Sequence, residues 1–561
     1  MKTFLRILVL ITSAGVILAG SKTAPDLPGS SNSPLDVIVQ YKTTPTKNEL
    51  KQLGPYGQIK KQFVHVNAVS VELTTAQIQT VSQDPNVLYI SPNRVTKGSL
   101  DITTATVNAN IAWSQGYTGT GIGVAVIDSG IYAHADLKTG NGTGSRIVYS
   151  ESFVPGLDAS DQFGHGTHVA GIVGSNGNSS TGPGFTRTLK GVAPNVNLIN
   201  FRVLDANGAG TDAGVIAAID EAINLQNTYN IRVINLSLGR PVWESYTLDP
   251  LCQAAEAAWK AGIIVVAAAG NFGRDNSMDE HGYGTIVAPG NDPYVITVGA
   301  MNDMGTATRT DDTIASYSSK GPTPIDHIVK PDLVAPGNGT VSLMSPNSTL
   351  SFNSSTVVPN SYYQTKGGGN SSTYMRLSGT SMATPVVSGA AALLLQQNPS
   401  LTPDQVKARL MKTAQKVLTL YNTSYDRFTM AAFHMQSDIF EVGAGYLDIQ
   451  AAISNHDLTS LPALSATAVY NSVTHLVTIT RNLSSSWGAS VFWSDSLVYG
   501  FAVLSGQDGD GFSVVWGDSV IWGLDDGGGG FSVVWGDSVL LPMSIQALDS
   551  GDGDYSVVWG D

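Results

Sequence analysis

Between residues 107 and 455 one pattern recurs, short and nearly continuous apolar runs separated by amphipathic stretches. The runs at 124–127 (VAVI), 197–202 (NLINFR), 233–236 (VINL) and 263–268 (IIVVAA) carry apolar residues on both strand faces, so strands made from them are expected to be buried on both sides. Residues 215–225 and 250–261 carry apolar side chains at helical spacing between those runs. Buried strands alternating with helices dictate an α/β fold, a parallel sheet with helices on both faces. Ligands of such sheets bind beyond the carboxyl ends of the strands, which makes the polar residues just past those ends the first candidates for chemistry.

The flanking segments differ in kind. Lys2 and Arg6 precede an apolar run at 7–18 and then Ala19, Gly20 and Ser21, the pattern of a secretory signal peptide over residues 1–21. No later stretch is apolar and long enough for a transmembrane helix, so a secreted, extracellular protein without a membrane anchor is expected. Residues 22–34 hold Pro, Gly and Ser and read as a linker. Residues 35–98 form a small α+β domain, with strands expected at 35–40, 64–73 and 87–90 and helices at 48–53 and 75–83. The α/β domain takes residues 99–455, and residues 456–561 form an extension with one Arg, no Lys, no Glu and twelve Asp, which carries most of the net charge of −14. Its hexads, SVVWGD at Ser513, Ser532 and Ser556 with variants at Ser490, Ser496 and Ser519, alternate apolar residues between Gly-Asp turns and read as a β-rich repeat.

The same charge argues against a grip on nucleic acid or anionic lipid, both of which require a basic surface. The single cysteine, Cys252, rules out an internal disulfide and a four-thiolate zinc site, and its apolar helix face reads as small buried filler.

Ser381 lies in Gly-Thr-Ser-Met-Ala-Thr-Pro (379–385), ahead of an apolar, small-residue stretch that reads as a buried helix. A helix N-terminus presents unpaired N–H groups and the positive end of the dipole, which suits it to an oxyanion. The hydroxyl still needs a base, and the base needs an acid to fix its tautomer. His165, in Gly-His-Gly-Thr-His-Val-Ala-Gly (164–171), and Asp128, closing the run at 124–127, supply both. A carboxylate at the end of a buried strand requires a partner, which an N–H of His165 provides. The chain order Asp, His, Ser is that of subtilisin; chymotrypsin and the α/β-hydrolases use other orders, and a lipase or esterase lacks support without a G-x-S-x-G elbow.

VAVIDSG, GHGTHVAG, VINLSLG, AAAGN and GTSMATP resemble, in order, the signature blocks of the subtilisin-like serine proteases of secreted bacterial type. The resemblance implies Asp128, His165 and Ser381 as a triad, Asn271 as an oxyanion donor, and the backbones of Ser237, Leu238, Gly239, Ala268, Ala269 and Gly270 as a platform that binds protein or peptide substrates as an added strand. It implies no catalytic cofactor and a monomer. The domain at 35–98 resembles the family's inhibitory propeptide, an intramolecular partner cut off by the enzyme near residues 93–101, with 87–94 lying toward the active site beforehand. Asp136 matches a position that often binds calcium, while the loop at 175–190 departs from the family pattern, so structural calcium is left open. Phe272 and residues 286–289, expected to close the primary specificity pocket, carry no charge and favour an apolar or neutral residue before the scissile bond.

Two blander readings stand beside these. His165 and His168 are three apart but lack the H-E-x-x-H pattern of a metal pair, so His168 reads as a structural helix residue. The tail acids at 508–511 and 551–554 lack a full calcium-loop pattern and read as solvated turns, and its Trp residues as the core of the repeat. The rival function is a surface-binding or adhesion protein whose repeats do the work on an inactive protease scaffold.

Overall fold

Each continuous apolar run becomes a strand. The computed structural model describes residues 22–24, 27, 34–63, 67–92, 100–140, 142–275, 282–416, 421–425, 432–471, 476–480 and 484–486. The expected signal segment and all six hexads lie outside them. The chain divides into two units, Met1–Thr96 and Lys97–Asp561.

In the first unit, β1 (Leu35–Tyr41), β2 (Ile59–Gln62), β3 (Ala68–Leu73) and β4 (Val87–Pro92) form an antiparallel sheet in the order β2-β3-β1-β4. Pairing Val37 with Val71 and Val39 with Val69 stacks branched side chains on one face, where they meet Leu53, Ile78 and Val81 of helices Lys47–Leu53 and Thr75–Ser82. Both helices open on capping boxes, Thr46 with Glu49 and Thr74 with Gln77. The run at 64–73 was expected as one strand; only Ala68–Leu73 is strand, and residues 64–66 lie outside the described set. β2 carried no apolar signal because Lys60, Lys61 and Gln62 face solvent. Residues 22–24 are more than linker, since Thr23 bridges Ile90 in parallel and Ala24 is buried.

The second unit is built on an eight-stranded sheet. Its strands are β5 (Gly123–Asp128), β6 (Ile147–Ser152), β7 (Asn197–Arg202), β8 (Ile231–Leu236), β9 (Ile264–Ala268), β10 (Ile296–Asn302), β11 (Thr313–Ile314) and β12 (Leu333–Pro336). The order is β11-β10-β9-β8-β5-β7-β6, with β12 also on β10, and every pair is parallel except β10 with β11. Helix Thr380–Gln397 packs on β8, β9 and β10 and against helix His165–Gly174; helices Asp212–Asn224 and Pro250–Lys260 pack on each other and on β5, β8 and β9. The strand order reverses at β5, whose next strands in the chain lie to one side and β8 to β10 on the other. The loops after β5 and β8 therefore diverge over a crevice at the carboxyl edge.

Residues 459–468, expected in the extension, pack on this unit instead. Ser465 donates to Asp332 at 2.6 Å, a fully buried carboxylate also held by Lys330 at 2.7 Å and Lys407 at 3.3 Å. Thr467–Asn471 and Leu476–Thr480 pair as antiparallel strands. Among the described residues no helix is long and apolar enough to cross a membrane.

Candidate active site

The crevice gathers Asp128 from the end of β5 and His165 from the first position of its helix. Asp128 is fully buried; its carboxylate oxygens lie 2.8 and 3.0 Å from His165 Nδ1, and Oδ1 also accepts the Ser129 N–H at 2.7 Å. Such a short approach of helix to strand end requires a missing side chain. A Cβ on Gly166 would stand 2.2 Å from the Gly130 carbonyl oxygen and 3.2 Å from Asp128 Cβ. The helix start is tied down by buried Asp161, which accepts from the N–H groups of Gly164 at 2.6 Å and Thr167 at 2.8 Å and from Ser129 Oγ at 2.8 Å. Sequence reasoning overlooked Asp161, although an acid shortly before a helix is a capping signal.

Burial alone pushes the His165 imidazole down, but the charge and hydrogen bond of Asp128, with Asp161 behind it, outweigh that and raise it above its ordinary 6.5. His168 has no such partner. It is buried, its Nε2 meets the Thr340 carbonyl at 3.1 Å, and desolvation with the nearby His165 lowers it to about 3, so it stays neutral as a packing residue. Cys252 is likewise buried, 3.3 Å from Asn291 Oδ1, with its thiol pushed up mainly by desolvation.

Ser381 is the second residue of helix Thr380–Gln397 and is locked to the end of β8. Ser237 Oγ donates to the Ser381 carbonyl at 2.8 Å, and Ser381 Oγ donates to the Ser237 carbonyl at 3.0 Å. Among the described residues no hydrogen bond joins Ser381 Oγ to His165. Asn271 Oδ1 accepts from Thr380 N–H at 2.9 Å and Thr380 Oγ1 at 3.1 Å, which orients the amide and leaves its NH₂ as the donor beside the helix start.

The two segments expected to bind substrate differ. Among the described residues no main-chain hydrogen bond engages Leu238 or Gly239, so residues 237–239 offer an open edge. Ala269 and Gly270, expected as part of the same platform, have main-chain partners within the protein. Ala268 pairs with Val298 inside the sheet; Ala269 donates to the Val298 carbonyl and accepts from Val287, both at 3.0 Å; Gly270 donates to Thr380 Oγ1 at 3.2 Å and accepts from Ser319 at 3.0 Å. The N–H and carbonyl groups of Ala269 and Gly270 are thus all engaged. Val287, buried, sits between the two segments, close enough that a Cβ on Gly239 or Gly270 would strike it at 2.4 or 2.8 Å, while Phe272 is half exposed. A groove of about 370 Å³ runs from His165 past residues 208–212 to Arg240 and Leu251. Residues 208–210 escaped the sequence reading, although Gly-Ala-Gly beyond β7 obeys the strand-end rule.

Asp136 does not fit a calcium ion. Its Oδ1 accepts the Ser179 N–H at 2.7 Å, its Oδ2 accepts Tyr374 OH at 2.7 Å and Ser175 Oγ at 3.3 Å, and its carbonyl accepts Arg146 Nη2 at 2.7 Å and the Asn176 N–H at 2.9 Å. Arg146 Nη2 also takes the Gly174 carbonyl at 2.6 Å. Calcium needs six to eight oxygens with free lone pairs, and here donors and a guanidinium already occupy them. Among the described residues no group of three or more His, Cys, Asp or Glu could hold a metal.

The model of the subtilase family (Peptidase_S8) matches residues 119–439. Serine protease AprX of Bacillus subtilis (strain 168) is 39% identical over 376 residues, covering 66% of this chain and 78% of that protein. Subtilisin E of the same organism is 34% identical over 410 residues, 71% of this chain and 90% of that protein. Among solved structures, the crystal structure of a cold adapted subtilisin-like serine proteinase matches at 31% identity and a TM-score of 0.38, covering 54% of this chain and 84% of that one.

Proposed function

The chain belongs to the subtilase family and is a serine endopeptidase, and on that premise we propose that it is secreted as a self-processing precursor and cleaves peptide bonds through Asp128, His165 and Ser381. The observation that carries the triad is the 2.8 Å contact between buried Asp128 and His165 Nδ1, in a groove that also holds Ser237, whose carbonyl accepts from Ser381 Oγ at a helix N-terminus beside Asn271. The Asp128 contact holds the proton on Nδ1 and leaves Nε2 to act as base.

In this route the Ser381 side chain rotates off the Ser237 carbonyl toward His165. Nε2 takes its proton as Oγ attacks the substrate carbonyl, and Asp128 stabilises the imidazolium. The oxyanion is received by the Asn271 amide and the Ser381 N–H, groups already oriented before reaction. His165 then gives its proton to the leaving amine, and water resolves the acyl-enzyme by the same relay. The substrate backbone pairs with Ser237, Leu238 and Gly239, while the main-chain groups of Ala269 and Gly270 stay engaged within the protein. No step uses a metal or cofactor.

The segment at 1–21 supports secretion, and the small antiparallel unit ahead of the catalytic one supports a propeptide that the enzyme removes. Mass spectrometry of the purified chain beside Ser381→Ala and His165→Ala tests both ideas. The expected result is loss of residues up to 93–101 and digestion of an unstructured substrate by the wild type only. A His165→Ala protein with full activity refutes the triad.

A further inference from the structure

The groove beside His165 ends in a cluster of charge. Arg240 follows the open segment, and Asp212 holds its guanidinium side-on, with Nε at 3.0 and 3.1 Å and Nη2 at 2.9 Å. Asp249 takes Nη2 at 2.9 Å, and Glu244 stands 3.9 Å away. One cation thus faces three carboxylates, and the cluster is net negative. Asp249 is fully buried, and its Oδ1 is shared between Arg240 and the N–H of Leu251. Asp212 and Glu244, 41% and 40% exposed, keep a face toward solvent. Beneath this rim the groove is apolar, with Val215 and Leu251 buried in its floor.

An extended substrate paired with residues 237–239 has a defined register. The Ser237 carbonyl lies 3.0 Å from Ser381 Oγ, so the residue before the scissile bond sits there and the preceding residues run outward toward Arg240. Side chains of a strand alternate in direction, and residues two apart are separated by about 6.8 Å. The second residue before the scissile bond then lies beside His165, and the fourth reaches the apolar floor and its charged rim.

We propose that Asp212 and Glu244, arrayed on Arg240, select substrates with lysine or arginine as the fourth residue before the scissile bond. The long aliphatic stem covers Val215 and Leu251 while the cationic head meets the two exposed carboxylates, the division of labour that long basic side chains adopt at an apolar surface with a polar rim. A glutamate at that position meets net negative charge. This selectivity rests on the endopeptidase reading above and adds to the neutral preference at the residue next to the scissile bond.

The test uses the purified full chain and three quenched fluorescent peptides that differ only at that position, carrying Leu, Lys or Glu. At low salt kcat/KM for the Lys peptide should exceed that for the Glu peptide by about tenfold, the scale of exposed charge pairs acting together, and the gap should narrow in high salt. Asp212→Asn and Glu244→Gln should each reduce the ratio, and Asp212→Lys should invert it. Cleavage of the Leu peptide with equal rates for Lys and Glu, or a ratio untouched by all three variants, overturns the selectivity alone. Failure to cleave any of the peptides, shared with Ser381→Ala, overturns the endopeptidase reading and the selectivity with it.

Discussion

At the scale of single residues, the site turns on how Asp128 changes His165. Desolvation works against the charged imidazolium, yet a buried carboxylate at 2.8 Å reverses the balance and raises the imidazole above 6.5. A base must be unprotonated to act, and a raised pKa means that the inactive form persists to higher pH. Activity should therefore fall as pH drops through the His165 pKa, with the acid limb of kcat/KM centred above 6.5. Asp128→Asn removes the charge and frees the wrong tautomer, so kcat should drop by about 10⁴. A pH–rate profile of the wild type with its acid limb below 6.5 contradicts this account.

At the scale of elements, position depends on how closely helices approach the sheet edge. The His165 helix reaches the end of β5 only because Gly166 lacks a side chain, the added Cβ lying 2.2 Å from a main-chain oxygen that cannot rotate away. Gly166→Ala should push the helix start outward, and displacements near 1 Å at a reacting group cost about 10² in rate. Overpacking of this kind also costs about 1–3 kcal/mol of stability. Gly140→Ala is the control, since nothing lies within 4 Å of its added Cβ. Comparing kcat and urea midpoints of the two variants checks the argument, and equal kcat values would remove Gly166 from it.

At the scale of the whole molecule, hydrogen bonds join distant segments at Asp136, the position that the family resemblance associates with calcium. Asp136 draws together Arg146, the loop at 175–179 and Tyr374, which is 238 residues away in the chain. Tyr374→Phe removes a hydrogen bond to a buried carboxylate, and bonds to charged groups are worth about 1.5–3 kcal/mol. In a Ser381→Ala background that prevents self-digestion, Tyr374→Phe should lower Tm by the same amount with chelator or with added calcium. Restoration of Tm by calcium would show a metal site at Asp136.

Much of this is legible in the sequence. The runs at 124–127, 197–202, 233–236 and 263–268 had to be buried on both faces, so strands and the sheet type followed from hydrophobic pattern, a property of local sequence. Asp128, His165 and Ser381 stood out because strand ends and helix starts are where unpaired polar groups gather. Other features depended on which distant backbone groups meet. The same small-residue pattern describes residues 237–239 and 268–270, yet Ala269 and Gly270 have their N–H and carbonyl groups taken by Val287, Val298, Ser319 and Thr380, whereas among the described residues no main-chain hydrogen bond engages Leu238 or Gly239. The charged end of the groove arises in the same way, from Asp212 at a helix start, Arg240 in a loop and Asp249 just before another helix. The sequence alone determined the fold class and the candidate reacting residues, because burial and local capping act along the chain. Only the tertiary structure decided which edge stays open to substrate and what charge waits beside it, because hydrogen bonds and ion pairs between segments depend on distances that no local pattern encodes.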